Sequence, residues 1–146
     1  MKPRTALTLI LLLAALLRVW NLGLGDPVND EVLIAFRAIE LVDFDAAEFQ
    51  PTPVEWLDPE RPWWLRLSFH DHPPLAFWIQ HLFIRLFGEH VWAFRLPSAL
   101  LGIFSVLLTY LIGKELRGRA AGLIASLILA ITVNHIYISR IGIQEA

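Results

Sequence analysis

Three long apolar runs dominate the hydrophobic pattern of the chain. They cover residues 5–23, 93–113 and 120–138. A helix of about 20 residues is about 30 Å long, which matches the hydrocarbon thickness of a bilayer. The pattern therefore predicts an all-α polytopic membrane protein with three transmembrane helices, and it predicts that residues 1–146 belong to a single unit.

The segment between the first two runs, residues 24–92, contains two shorter helical patterns. Residues 29–42 place apolar side chains on one face of a helix and polar side chains on the other. Residues 74–88 follow Pro73 and begin with Pro74, a residue type that suits a first helical turn. This second helix would be about 20 Å long, too short to cross a bilayer. We therefore expect two amphipathic helices that lie in the membrane interface.

Basic residues mark the expected cytoplasmic side of the membrane. Lys2 and Arg4 precede the first apolar run, and the short segment 114–119 between the second and third runs is also basic. Short basic loops face the cytoplasm. The sequence thus predicts an integral protein of the plasma (inner) membrane with a cytoplasmic N-terminus, a cytoplasmic loop at 114–119 and an outer loop at 24–92.

The composition of the outer loop fits this orientation. Most of the 14 acidic residues and the six tryptophans lie in or beside residues 24–92. Tryptophan favours the interface between membrane and water. The net charge of −2 predicts no nucleic-acid partner, and the absence of cysteine excludes a disulfide framework and a thiolate metal site in this chain.

Two groups of titratable residues stand out in the outer loop. Asp30 and Glu31 begin the first predicted outer helix, where acidic residues cap the helix and complement its dipole. His70, Asp71 and His72 precede the proline pair. These three side chains suit a Zn²⁺ ion, a phosphate held at a helix start, or a solvated loop, and the pattern leaves these alternatives open.

Two arginines lie near the outer ends of the first two apolar runs. They are Arg18 and Arg95. A single arginine near the end of a membrane helix usually extends its long side chain to the interface. We therefore expect both guanidinium groups to reach the aqueous boundary rather than to lie in the protein interior.

The predicted topology gathers charged residues that are far apart in the sequence. It places Asp30, Asp71, Arg140 and Glu145 on the outer side, beside the ends of the same helices. Cationic side chains bind a phosphate, and a carboxylate accepts the proton of a hydroxyl group. The pattern therefore predicts an outer surface site that handles a lipid phosphate.

Several segments, in their order along the chain, resemble a known class of enzymes. They are "LRVWNLG" (17–23), "NDE" (29–31), "HPPL" (72–75), "FRLPSALLG" (94–102) and "SRIGIQEA" (139–146). Together they resemble the membrane glycosyltransferases that use polyprenyl-phosphate sugars. This class includes the protein O-mannosyltransferases and the aminoarabinose transferases of lipid A. The resemblance implies a multi-span GT-C fold with its active site on the non-cytoplasmic side.

The resemblance also implies roles for particular residues. The catalytic acid in the first outer loop of the family matches Asp30, together with Glu31, and the second acid matches Glu145. Asp71 and His72 match the positions before the proline pair that contact a metal or the lipid phosphate in the family, and by analogy Arg140 also faces the phosphate. We assign His72 and Arg140 to the phosphate and Asp71, with its neighbour His70, to a metal, and the resemblance leaves the use of a divalent metal open.

The implied reaction transfers a sugar from a polyprenyl-phosphate donor to a hydroxyl group of a protein, lipid or glycan acceptor, with inversion at the anomeric carbon. Members of the family are much longer than 146 residues. We therefore expect the chain to be the N-terminal part of such an enzyme, and to be inactive by itself. The alternative hypothesis is a small non-catalytic membrane protein whose aromatic outer loop serves assembly or lipid contact.

Overall fold

The computed structural model describes residues 3–27, 30–40 and 74–142, and all regular secondary structure within these ranges is α-helical. The helices are α1 (Pro3–Val19), α2 (Asp30–Glu40), α3 (Pro74–Phe87), α4 (Val91–Arg117), α5 (Arg119–Ile131) and α6 (Val133–Arg140). The predicted all-α class is confirmed for the described part of the chain. The two helices expected at 29–42 and 74–88 are present as α2 and α3.

Helix α4 has the length and apolarity needed to cross a membrane. Its 27 residues give a length of about 40 Å, which exceeds the hydrocarbon thickness. Outward-facing side chains such as Phe104 and Ile112 are large, apolar and exposed, as on a helix that faces lipid. The structure thus provides one clear candidate span among the described residues, which corresponds to the second predicted run.

The other two predicted spans differ from expectation. Helix α1 is apolar but ends at Val19, after 17 residues, and residues 20–23 form a turn. Helices α5 and α6 qualify as a span only as a pair, because the chain bends by 60° between them. The arrangement of three transmembrane helices therefore stays a prediction.

The bend between α5 and α6 is centred on Thr132. This residue has an extended backbone, with φ −65° and ψ 116°. Its hydroxyl donates a hydrogen bond to the carbonyl oxygen of Ile128 at 2.7 Å, and this kind of back-bonding bends helices. Thr132 also lies between the β-branched residues Ile131 and Val133, which are poor helix formers. These local features explain why the third apolar run is not one straight helix.

Helices α4 and α5 form a tight hairpin. The expected loop at 114–119 is reduced to Gly118, because α4 continues to Arg117 and α5 begins at Arg119. Gly118 has a φ of 85°, which glycine adopts without strain. The helices approach closely along small residues, since a Cβ atom on Gly122 would lie 2.5 Å from the carbonyl oxygen of Tyr110.

The small-residue stripe on α5 faces inward, as its four-residue spacing predicts. Gly122, Ser126 and Ala130 are all buried. On α4, Ser98 and Gly102 share the same spacing and are also buried. Gly122 allows the backbones of α4 and α5 to approach closely, and Gly102 leaves room for the side chain of Ser139 in α6.

Two apolar cores hold the helices together. The first, the bundle core, joins α1, α4 and α5 through Ile10, Ala14, Val106 and Ala130. The second, the loop core, joins α2, α3 and the start of α4 through Ile34, Ala35, Ala38, Phe77, Ile84 and Phe94. Helices α2 and α3 therefore bury their apolar faces against each other and against α4, and this packing fixes both helices relative to the bundle. Their placement in a membrane interface stays a prediction.

Candidate functional site

A buried ion pair joins α2 to α4 and forms the centre of the site. Arg95 lies in the second turn of α4, and its guanidinium donates two parallel hydrogen bonds to the carboxylate of Glu31. The distances are 2.6 Å from Nε to Oε1 and 2.8 Å from Nη2 to Oε2. The two side chains are only 6% and 1% exposed. Two parallel charge-assisted bonds of this kind are strong, and they fix both the distance and the relative orientation of the guanidinium and the carboxylate.

The remaining guanidinium nitrogen of Arg95 binds the segment that follows α1. Nη1 donates to the carbonyl oxygens of Leu22 at 3.1 Å and Leu24 at 3.2 Å. Arg95 therefore connects α4, α2 and the turn after α1. The expectation that its side chain extends to the aqueous boundary is wrong, because a carboxylate and main-chain oxygens solvate the charge inside the protein.

The same carboxylate also holds the chain beyond α6. Oε1 of Glu31 accepts a hydrogen bond from the backbone N–H of Gly142 at 2.7 Å. Gln80 of α3, itself buried, donates from Nε2 to the carbonyl oxygen of Gly142 at 2.8 Å. A Cβ atom at position 142 would lie 2.5 Å from Cδ2 of Phe94, so a side chain larger than hydrogen does not fit there.

We call the five residues Glu31, Gln80, Phe94, Arg95 and Gly142 the Gly142 clamp. Helices α2, α3 and α4 each contribute to it. Both main-chain polar groups of Gly142 are satisfied by side chains that are far away in the sequence. Because these bonds are buried, they hold the end of α6 at a defined position next to the start of α2.

The predicted acids lie on either side of this clamp in the sequence. Asp30 immediately precedes Glu31 at the start of α2, and its side chain is exposed, with no hydrogen bond or ion pair to a described residue. Glu145 lies outside the described residues, three positions after Gly142. Covalent geometry limits the Cα atoms of residues 142 and 145 to a separation of about 11 Å. The structure thus brings together Glu31, which is adjacent to Asp30, and Gly142, which is three residues before Glu145.

Arg140 caps the C-terminal end of α1. Its Nη1 donates to the carbonyl oxygens of Leu17 at 3.0 Å and Trp20 at 2.7 Å, and Nη2 donates to that of Asn21 at 3.2 Å. These oxygens belong to the last turn of α1 and the turn after it, where helix carbonyls lack partners within the helix. Of the five N–H groups of a guanidinium, two are left after these three bonds.

An apolar groove lies beside Arg140. Its volume is ≈ 620 Å³. The groove is lined by Leu16, Leu17, Trp20, Asn21, Leu24 and Arg140. The arrangement combines one half-buried cation with a largely apolar wall. It suits an amphipathic anion better than a fully polar one.

Arg18 forms a second buried centre, at the bend between α5 and α6. Its side chain is 0% exposed. It donates to the carbonyl oxygens of Ala130 at 3.1 Å and Leu129 at 3.3 Å, and its Nη2 lies 2.7 Å from Nδ1 of His135. Because arginine only donates, Nδ1 of His135 accepts this bond. The expected extension of Arg18 to the aqueous boundary is therefore wrong as well.

The sequence contained one overlooked signal for the clamp. Glu31 lies three, four and seven positions before Ile34, Ala35 and Ala38, which is the spacing of one helical face. All four residues are buried. An acid on an apolar face requires a buried partner. No comparable signal identified Gln80, because glutamine is mostly an exposed residue type, yet Gln80 is only 4% exposed.

The proposed metal ligands cannot be placed. His70, Asp71 and His72 lie outside the described residues. Within residues 3–27, 30–40 and 74–142, no group of three or more His, Cys, Asp or Glu residues is arranged to hold a metal ion. Metal binding by His70 and Asp71, and phosphate binding by His72, stay predictions.

Comparison with known proteins agrees with the family resemblance found in the sequence. Residues 71–146 match the sequence model of the family described as "Dolichyl-phosphate-mannose-protein mannosyltransferase". The chain is similar to two Bacillus subtilis (strain 168) proteins named "Putative mannosyltransferase YycA" and "Putative mannosyltransferase YkcB". The first is 34% identical over 92% of this chain, and the second is 33% identical over 96% of it.

The chain spans only part of these relatives. It covers 18% of the length of each of the two Bacillus subtilis proteins. An uncharacterized protein of Aquifex aeolicus (strain VF5) is 33% identical over 51% of this chain, which covers 15% of that relative. No solved structure matches the chain.

Proposed function

Because this chain belongs to the dolichyl-phosphate-mannose-protein mannosyltransferase family, we propose that it forms part of a membrane enzyme that transfers a sugar from a polyprenyl phosphate to an acceptor hydroxyl group. The proposed site lies on the non-cytoplasmic side of the membrane. The observation that carries the proposal is the family match, combined with an exposed Asp30 on a helix that the buried Glu31–Arg95 pair holds in place.

Asp30 is the proposed general base. Its carboxylate accepts the proton of the acceptor hydroxyl as the hydroxyl oxygen attacks the anomeric carbon of the sugar. The bond between that carbon and the phosphate oxygen breaks, and the electron pair leaves with the lipid phosphate. Attack opposite the leaving group inverts the anomeric configuration. Glu145 is the proposed second acid of the site.

Arg140 and His72 are the proposed partners of the lipid phosphate. Two N–H groups of Arg140 are left after it caps α1, and they can bind phosphate oxygens while the cap is kept. The apolar groove beside Arg140 offers a wall suited to the first isoprenoid units of the donor. A cation at the phosphate stabilises the charge that develops on it as the sugar leaves.

The test of the proposal is Asp30→Asn in the full-length protein, reconstituted with a polyprenyl-phosphate sugar. Because Asp30 is exposed and makes no bond to a described residue, the variant should fold normally. We expect kcat to fall by about 10²- to 10⁴-fold, the usual contribution of general base catalysis. The control is Glu89→Gln, which neutralises another exposed acid, between α3 and α4. Undiminished transfer by Asp30→Asn would remove the base from the mechanism.

A further inference from the structure

Glu31 stands next to the proposed base, yet its geometry is that of a structural anchor. Both carboxylate oxygens bind Arg95, and Oε1 also accepts the N–H of Gly142. A carboxylate that is 1% exposed and held by a guanidinium on both oxygens has no open position for an acceptor hydroxyl.

The Gly142 clamp connects the two chain segments that carry the proposed acids. On one side, Glu31 is bonded covalently to Asp30. On the other side, Gly142 precedes Glu145 by three residues. A movement of the Gly142 peptide would therefore move the point from which the chain continues to Glu145, relative to the start of α2 that carries Asp30.

We propose that the Gly142 clamp is the positioning device of the active site, and that Glu31, Arg95 and Gln80 are positioning residues rather than catalytic ones. This inference rests on the proposed function, because it assigns Asp30 as the base. Gln80 is the most informative member, since its only described hydrogen bond goes to the carbonyl oxygen of Gly142 and it lies on a different helix from either acid.

Glycine at position 142 is part of the device. The ring of Phe94 occupies the space where a Cβ atom would lie. Phe94 also belongs to the loop core that holds α2 and α3 on α4. A methyl group at position 142 would therefore clash with the ring and displace the peptide from the two side chains that bind it.

The experiment compares steady-state kinetics of Gln80→Leu, Glu31→Gln and His81→Leu in the full-length protein. Gln80→Leu keeps the bulk of the side chain and removes the donor to Gly142. We expect kcat to fall by about 10- to 100-fold with little change in KM, since small displacements of catalytic groups have effects of this size. His81→Leu is the matched control, because His81 lies beside Gln80 on α3 and binds the carbonyl oxygen of Ala38 instead.

The pH dependence separates positioning from catalysis. We expect Glu31→Gln to lower kcat but to keep the acidic limb of the pH–rate profile, because that limb reports the base, Asp30. Loss of the limb in Glu31→Gln would make Glu31 the base and overturn the inference. A native kcat in Gln80→Leu, or an equal loss in His81→Leu, would also overturn it.

A rescue experiment tests the steric part of the clamp. Gly142→Ala should lower kcat about as much as Gln80→Leu, and the double variant Gly142→Ala/Phe94→Leu should recover a large part of the loss. Failure of the second change to improve on the first contradicts the role of the ring. The proposed function fails separately, through full transfer by Asp30→Asn, whereas failure of the clamp variants leaves that function standing.

Discussion

Arg95 and Arg18, two of the three buried arginines among the described residues, are stabilised by different kinds of partner. Arg95 meets a carboxylate, and its remaining bonds go to the turn after α1. Arg18 meets main-chain carbonyl oxygens and a neutral imidazole nitrogen at the bend between α5 and α6. Arg18 therefore has no carboxylate among its described partners, and the negative end of a helix dipole supports its charge instead.

The difference shows how one residue type serves two purposes. The carboxylate of Glu31 accepts from Arg95 and from Gly142 together, so the ion pair sets the position of three chain segments around the proposed site. The carbonyl oxygens of Leu129 and Ala130 around Arg18 belong to the last turn of α5, just before the bend. Arg18 thus stabilises a bend, whereas Arg95 defines a site.

The largest expected effect comes from removing the carboxylate of the first centre. Glu31→Ala leaves a buried guanidinium without its counter-charge, which costs about 3–5 kcal/mol of unfolding free energy. The measurement is thermal or denaturant unfolding of the full-length protein in detergent. The double variant Glu31→Leu/Arg95→Met should be more stable than Glu31→Ala, because no uncompensated charge remains buried.

A surface ion pair provides the control for this first prediction. Glu115 lies 3.1 Å from Lys114, but its side chain is 77% exposed. Glu115→Ala should change the unfolding free energy by about 0.5 kcal/mol or less. A similar loss for Glu31→Ala and Glu115→Ala would show that burial of the first pair has no energetic consequence.

An intermediate effect is expected at the second centre. Arg18→Met keeps a long apolar side chain and removes the donors to Leu129, Ala130 and His135. We expect a loss of about 1–3 kcal/mol, because hydrogen bonds to charged groups are lost while a buried charge is removed as well. Arg117→Met, at the exposed end of α4, is the control for the unfolding measurement. A loss larger than that of Glu31→Ala would reverse the ranking of the two centres.

The smallest effect tests the neutral partner of Arg18. His135→Phe removes the acceptor at Nδ1 and keeps a planar ring, at a cost of about 1 kcal/mol. A double-mutant cycle with Arg18→Met should give a coupling energy well below that of Glu31 with Arg95. Equal coupling energies in the two cycles would show that a neutral imidazole stabilises a buried guanidinium as much as a carboxylate does.

Sequence patterns predicted the elements of the fold better than the contacts between them. Helices α2 and α3 lie where the apolar spacing placed them, and the small residues that repeat every four positions on α5 are buried. Periodicity works here because it depends on residues close in sequence. It missed the 60° bend after Ile131, since a continuous apolar run does not reveal where carbonyl groups find other partners.

The site was predicted only in outline. The family resemblance is confirmed, and Asp30 stays the predicted base at an exposed helix start. The burial of Arg95 could not be predicted, because its carboxylate partner lies 64 residues earlier in the chain. The position of Glu31 on an apolar helical face was the available clue, and it predicts a buried ion pair without naming the cation.

The cap that Arg140 forms on α1 also has a consequence for biogenesis. Arg140 is synthesised 120 residues after Trp20, whose carbonyl oxygen it binds. At translation rates of about 5–20 residues per second, this interval lasts roughly 6–24 seconds. Helix α1 therefore leaves the ribosome well before α6, the helix that completes the cap on its C-terminal end. During that interval, the nascent chain depends on lipid headgroups, water or the insertion machinery to satisfy those oxygens.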